Sequence, residues 1–157
     1  MKTCCFTGHR TLPTLTRHAL IRALDETIED LIAKGFTEFR AGGALGFDTL
    51  AAERVLFFKE KHPECHLHLY LPCRNHDKGW SAHDRAALAE IVARADSVSY
   101  VREHYAPDCM HARNRALVDG SDLCLAYLTQ NRGGTLYTCS YALKQGVHLI
   151  NVAEEMI

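Results

Sequence analysis

Glycines, two arginines and an acid recur in this sequence where extended segments give way to helices, a set of residues suited to holding an anion. In Arg40-Ala41-Gly42-Gly43-Ala44-Leu45-Gly46-Phe47-Asp48 a strand pattern passes through three glycines into a helix pattern. Glycine lets a ligand approach the backbone closely. The first turn of the helix that follows carries unpartnered N–H groups at the positive end of its dipole. Together they can cradle a phosphate, although three glycines also suffice for a tight turn. Gly133-Gly134-Thr135 repeats the arrangement, with a hydroxyl that can bind phosphate or cap the helix. Arg10 and Arg113 offer planar guanidiniums matched to phosphate or carboxylate, or else surface ion pairs. Asp48 can accept from a ribose hydroxyl, act as a general base, or only favour a helix N-terminus. His9 can serve as a base or a hydrogen-bond partner.

A second group, Cys65, His66, His68, Cys73 and His76, has metal-binding side chains. His66 and His68 fall on one face of a strand, but no Cys-x-x-Cys is present and the spacing fits no compact zinc finger. We therefore expect no metal and no cofactor.

The elements that must position these residues alternate strictly. Strand patterns cover 2–6, 35–40, 66–71, 97–101, 122–128 and 147–152. Helix patterns start near Pro13 to Thr16 and cover 49–59, 82–95, 108–119 and 136–144. The first helix carries the stripe Leu20, Ile21, Leu24, Ile28, Leu31, Ile32 and stops at Gly35. Residues 122–128 are almost wholly apolar, as in a strand covered on both faces. The alternation predicts an α/β sandwich with a mostly parallel sheet. Ligands of such sheets bind beyond the carboxyl ends of the strands. Residues 7–10, 41–48 and 133–135 each follow a strand, and residues 110–114 precede one, so they meet on one rim.

Length and charge narrow the function. The 157 residues suit one domain, spanning 1–157, and 47% hydrophobic with 24% charged residues is ordinary for a globular protein. The formal net charge of −1 gives no strong field favouring nucleic acid or an anionic membrane. No apolar run is long enough to cross a membrane and no signal peptide is visible. Seven cysteines, several inside apolar runs, read as free thiols in a reducing cytoplasm.

The chain resembles the YpsA-like branch of the SLOG superfamily, Rossmann-like proteins that include the LOG phosphoribohydrolases and the DNA-processing protein DprA. The matching pieces are Phe6-Thr7-Gly8-His9-Arg10, Gly42-Gly43-Ala44-Leu45-Gly46-Phe47-Asp48, Arg113-Asn114, Asp119-Gly120-Ser121-Asp122 and Gly133-Gly134-Thr135. The resemblance implies a Rossmann-like three-layer α/β/α sandwich that binds a nucleotide or nucleotide-derived ligand at this rim. It implies Gly8, His9, Arg10, Gly42, Gly43, Gly46, Arg113, Asn114, Gly133, Gly134 and Thr135 as ligand-binding residues. LOG enzymes carry a Met-His-Glu-Arg segment and a glutamate after their glycine-threonine turn. Here Met110-His111-Ala112-Arg113 lacks the acid, and no carboxylate follows Thr135. Glycoside cleavage uses carboxylates, so hydrolysis would have to use Asp48 or Glu53.

The expected function is binding of an AMP-like or ADP-ribose-like ligand, as a sensor or regulatory module. One alternative is a phosphoribohydrolase acting on nucleoside 5′-monophosphates. A weaker one is single-stranded nucleic-acid binding as in DprA, against which the near-neutral charge stands. A homo-oligomer is expected from the resemblance alone.

Overall fold

A computed structural model describes residues 1–156. Six strands, β1 (Lys2–Gly8), β2 (Phe36–Ala41), β3 (His66–Leu71), β4 (Ser97–Tyr100), β5 (Leu123–Tyr127) and β6 (His148–Asn151), form one sheet. Every neighbouring pair is parallel, in the order β4-β3-β2-β1-β5-β6. Between them run α1 (Arg17–Ala33), α2 (Phe47–Lys59), α3 (Ala82–Arg94), α4 (Cys109–Val118) and α5 (Gly134–Lys144). The parallel sheet in an α/β sandwich is as the alternation predicted, and the three layers are as the family resemblance implied. A short 3₁₀ turn, Val152–Met156, follows β6 and was not legible in the pattern.

Strand periodicity sorts the side chains into two cores. Cys4, Phe6, Leu123, Leu125 and Tyr127 face α1, α2 and α3, where Leu20, Leu24, Ile28 and Leu31 of α1 are buried as the helical stripe required. Cys5 and Cys124, paired across β1 and β5, face the smaller core with Leu117, Val118 and Ala142 of α4 and α5. All seven cysteines are free and buried. Ser81 caps α3 by accepting from the Asp84 N–H at 3.1 Å.

Two helices, α2 and α5, begin two residues earlier than their apolar patterns. Each starts directly after a glycine of positive φ, Gly46 (+77°) and Gly133 (+92°), so the turn is complete within the glycines. Among the described residues no helix is long and apolar enough to cross a membrane.

Candidate functional site

Strand order reverses between β1 and β5, and the helices after them leave on opposite faces. A cleft of about 260 Å³ opens at the carboxyl ends of this reversal. Its walls are the end of β1 (Thr7 to Arg10), Ala44 and Asp48 at the start of α2, the inner face of α4 (Met110, His111, Arg113, Asn114, Leu117), and Gly134 and Thr135 of α5.

Arg113 is only 4% exposed. Its Nε donates to Asn114 Oδ1 at 2.8 Å and its Nη1 donates to the Gly42 carbonyl. The third nitrogen, Nη2, lies 3.9 Å from Met110 Sδ, one helical turn back. Arg10, exposed on the opposite wall, also places its Nη2 3.9 Å from that sulfur. Two guanidiniums therefore converge on one thioether, a weak acceptor. Among the described residues neither has a carboxylate within ion-pair distance.

Asp48 is the one acid among the lining residues. It is 6% exposed and accepts from the Ala44 N–H at 3.3 Å. Burial pushes its pKa up to about 6, against the opposing pull of Arg113, the Ala44 bond and Arg10. A carboxyl titrating near neutrality inside a cleft is suited to proton exchange with a ligand. His9 Nε2 accepts from the Thr129 N–H at 2.9 Å, which puts the proton of its neutral ring on Nδ1. Burial lowers its pKa, so the ring is neutral at pH 7.

Packing separates the two glycine turns. A Cβ on Gly46 would stand 2.3 Å from the Arg10 carbonyl oxygen, and one on Gly43 would meet Leu71 at 2.3 Å. A Cβ on Gly42 would lie 2.8 Å from Asp48 Oδ2 and 2.9 Å from Arg113 Nη1. The first N–H of α2, from Phe47, donates to the His9 carbonyl at 3.1 Å, and Asp48 occupies the first turn. At this end of α2 the chain itself meets the first N–H and places a carboxyl in the first turn, while among the described residues the N–H groups of Asp48 and Thr49 have no partner. At Gly133 a Cβ would meet nothing within 4 Å, and α5 has no acid in its first turn and no side-chain cap. Among the described residues, the N–H groups of Gly134, Thr135 and Leu136 have no partner. The Thr135 hydroxyl makes no cap bond either.

The structure thus brings Gly8, His9, Arg10, Asp48, Arg113, Asn114, Gly134 and Thr135 to one cleft, with Gly133 exposed beside it. Gly42, Gly43 and Gly46 lie packed behind the wall rather than on it, and Gly8 is held bare by the Phe47 ring, 2.3 Å from where its Cβ would be. Glu53 is exposed on another side of α2, beside Arg17 and His83. Thr7, Ala44, Met110, His111 and Leu117 complete the lining without having been singled out as ligand contacts. Met110 and His111 are signalled by their place just before Arg113 and Ala44 by its place in the first glycine segment; Leu117 carries no signal in the sequence. Thr138, where the LOG glutamate would fall, is fully buried with its hydroxyl donating to the Gly134 carbonyl at 2.9 Å.

The suspected metal ligands do not converge. His66 Nδ1 and His68 Nε2 share the Glu38 carboxylate at 3.1 and 2.9 Å, and His76 Nε2 donates to the Gly43 carbonyl at 3.0 Å. Among the described residues no three His, Cys, Asp or Glu side chains are grouped to hold a metal ion.

An all-parallel α/β sheet with a cleft at its reversal defines a Rossmann-like protein. Within that class the chain belongs to the YspA SLOG family (YpsA), whose profile matches residues 13–151. It is 31% identical over 130 residues to the SPbeta prophage-derived protein YoqJ of Bacillus subtilis, covering 74% of this chain and 76% of that one. It is 28% identical over 133 residues to a UPF0398 protein of Bacillus thuringiensis (strain Al Hakam), covering 83% and 70%. The structure of DNA processing protein A from Helicobacter pylori superposes with a TM-score of 0.66 at 20% identity, over 99% of this chain and 71% of that one. At that identity the likeness concerns the fold.

Proposed function

We propose that the cleft binds a nucleotide or nucleotide-derived ligand, AMP-like or ADP-ribose-like, as a sensor or regulatory module. The observation that carries this reading is the free first turn of α5 facing two guanidiniums that have only a thioether between them. Three N–H groups and two cations beside the cleft match a phosphate in charge and in donor type. The phosphate sits on Gly134 and Thr135, Arg10 and Arg113 neutralise it, and Asp48 accepts from a ribose hydroxyl. The glycines before α2 shape the wall and leave the anion to α5. Free, buried thiols fit a reducing cytoplasm, and a homo-oligomer is carried over from family likeness.

Saturation-transfer NMR with AMP and ADP-ribose tests the reading. Transfer to the ligand, lost in Arg113→Gln, supports it; no transfer to either ligand sinks it.

Two other activities have an observation in their favour. Asp48, buried with a pKa of about 6, suits a phosphoribohydrolase that lacks the usual glutamate. Free adenine accumulating from AMP, and absent in Asp48→Asn, would establish that activity. The Helicobacter pylori protein of like fold is described as binding single-stranded DNA. The near-neutral charge of this chain therefore does not by itself set nucleic acid aside, and a fluorescence-anisotropy titration with a labelled single strand decides it.

A further inference from the structure

Beside the cleft lies a second cavity of about 250 Å³, lined by Cys73, His76, Tyr105, Pro107, Cys109 and Met110 among others. Met110 lines both cavities and is the partition between them. Their characters differ. The cleft presents guanidiniums and backbone N–H groups, whereas this cavity presents thiols, a proline ring and an aromatic ring, with Arg74, Asn75 and Lys78 also in its lining. Tyr105 is 71% exposed, so its ring borders the cavity with most of its surface open. His76 donates from Nε2 to the Gly43 carbonyl, so its Nδ1 is left as an acceptor. Ligand pockets usually measure about 300–1,000 Å³. The cleft alone falls short of that range, and the two compartments together lie within it.

We infer that this cavity is the base subsite of the ligand bound in the cleft, with the nucleobase stacked on Tyr105 and Met110 as a movable partition. The inference rests on the proposed nucleotide reading and extends it. Its mechanism follows from the sulfur contacts. Arg10 and Arg113 each lie 3.9 Å from Met110 Sδ. A phosphate is a far better partner for both guanidiniums than a thioether. Phosphate binding therefore releases Met110, whose three rotatable bonds allow it to swing aside and join the compartments. Stacking on an aromatic ring accepts any base, because every base has a π-face. The His76 Nδ1 acceptor can take a hydrogen bond from any of the bases, from the exocyclic amino group of adenine, guanine or cytosine or from the N3–H of uracil.

The test compares ribose 5-phosphate, which has no base, with AMP, GMP, CMP and UMP by calorimetric titration of the whole chain. At least one nucleotide should bind more tightly than ribose 5-phosphate. Tyr105→Ala, at an exposed position that does not hold the fold, should weaken that nucleotide by about tenfold and leave ribose 5-phosphate unchanged. Met110→Ala, which removes the partition, should bind the nucleotide more tightly, and a weakened nucleotide would overturn Met110 as a barrier between the compartments. If nucleotides bind and Tyr105→Ala does not change their affinity, or weakens ribose 5-phosphate equally, the base subsite is overturned while the phosphate cleft stands. If neither ribose 5-phosphate nor any nucleotide binds, the nucleotide reading falls and the subsite with it.

Discussion

The turns before α2 and α5 are built from the same residue types and do opposite things. Each follows a parallel strand, uses a glycine of positive φ as the helix N-cap, and starts its helix at once. Before α2 the glycines are bare because the chain comes too close for a side chain, as the Arg10 carbonyl does at Gly46. The first N–H there is met by the His9 carbonyl, and Asp48 stands in the first turn. Before α5 the space is empty, the N–H groups are unpartnered and no acid is near in sequence. An anion placed at α2 would meet a carboxylate; at α5 it would meet arginines. Glycine content alone marks a turn, and what packs against the glycine decides whether the turn serves the fold or a ligand.

The sharpest break between the two turns should come from adding one methyl group to each. Gly46→Ala combines a positive φ with a contact against backbone, and should cost roughly 3–5 kcal/mol in chemical denaturation. Gly134→Ala meets only Asn114 Nδ2 at 3.8 Å, so its denaturation midpoint should stay near that of the native chain. Its added methyl intrudes on the phosphate position, and AMP affinity should fall about tenfold or more. Equal destabilisation by the two substitutions would erase the distinction.

The acid at α2 gives the next largest effect. Asp48 has a folded pKa of about 6 against an ordinary 3.8, so the folded state holds a proton more firmly than the unfolded chain. Its contribution to stability therefore falls as pH rises from about 4 to about 6, and above pH 6 the ionised form costs up to about 3 kcal/mol. Asp48→Asn should melt higher than the native chain at pH 8, with the difference closing by pH 4. Burial lowers the pKa of His9 and His76, which makes stability rise with pH below about 6.5, and this term cancels in the difference. A variant less stable than the native protein at pH 8 would mean that the Asp48 charge is structural.

A smaller effect belongs to Glu38, far from the cleft. Its hydrogen bonds to His68, Thr37 and His66 hold its pKa down to about 2, against an ordinary 4.5. The stability it contributes is present above pH 4.5 and lost as pH falls toward 2. Glu38→Gln should flatten the melting profile in that window without touching AMP affinity.

The order of strands and helices was legible because period-2 and period-3.6 patterns alternate without ambiguity from β1 to β6. Arg10, Arg113, Gly134 and Thr135 were legible as a group because each flanks a strand end on the same rim. The difference between the two glycine turns was not. It depends on Arg10 approaching Gly46 and on Leu71 approaching Gly43, contacts between residues distant in sequence. Glu53 could have been separated from Asp48 by helix geometry alone, since five residues on an α-helix turn through about 140°. Tyr105 and Pro107 lie in a loop with no periodicity, and nothing in the sequence tied them to the cleft.

The measurement that tests the account most directly is an amide NMR titration of the protein with AMP. The N–H groups of Gly134, Thr135 and Leu136 should shift strongly downfield and become protected from exchange, while those of Gly46 and Phe47 change little. Saturable shifts centred on Gly46 and Phe47, with the first turn of α5 unmoved, would contradict the assignment of the phosphate to α5.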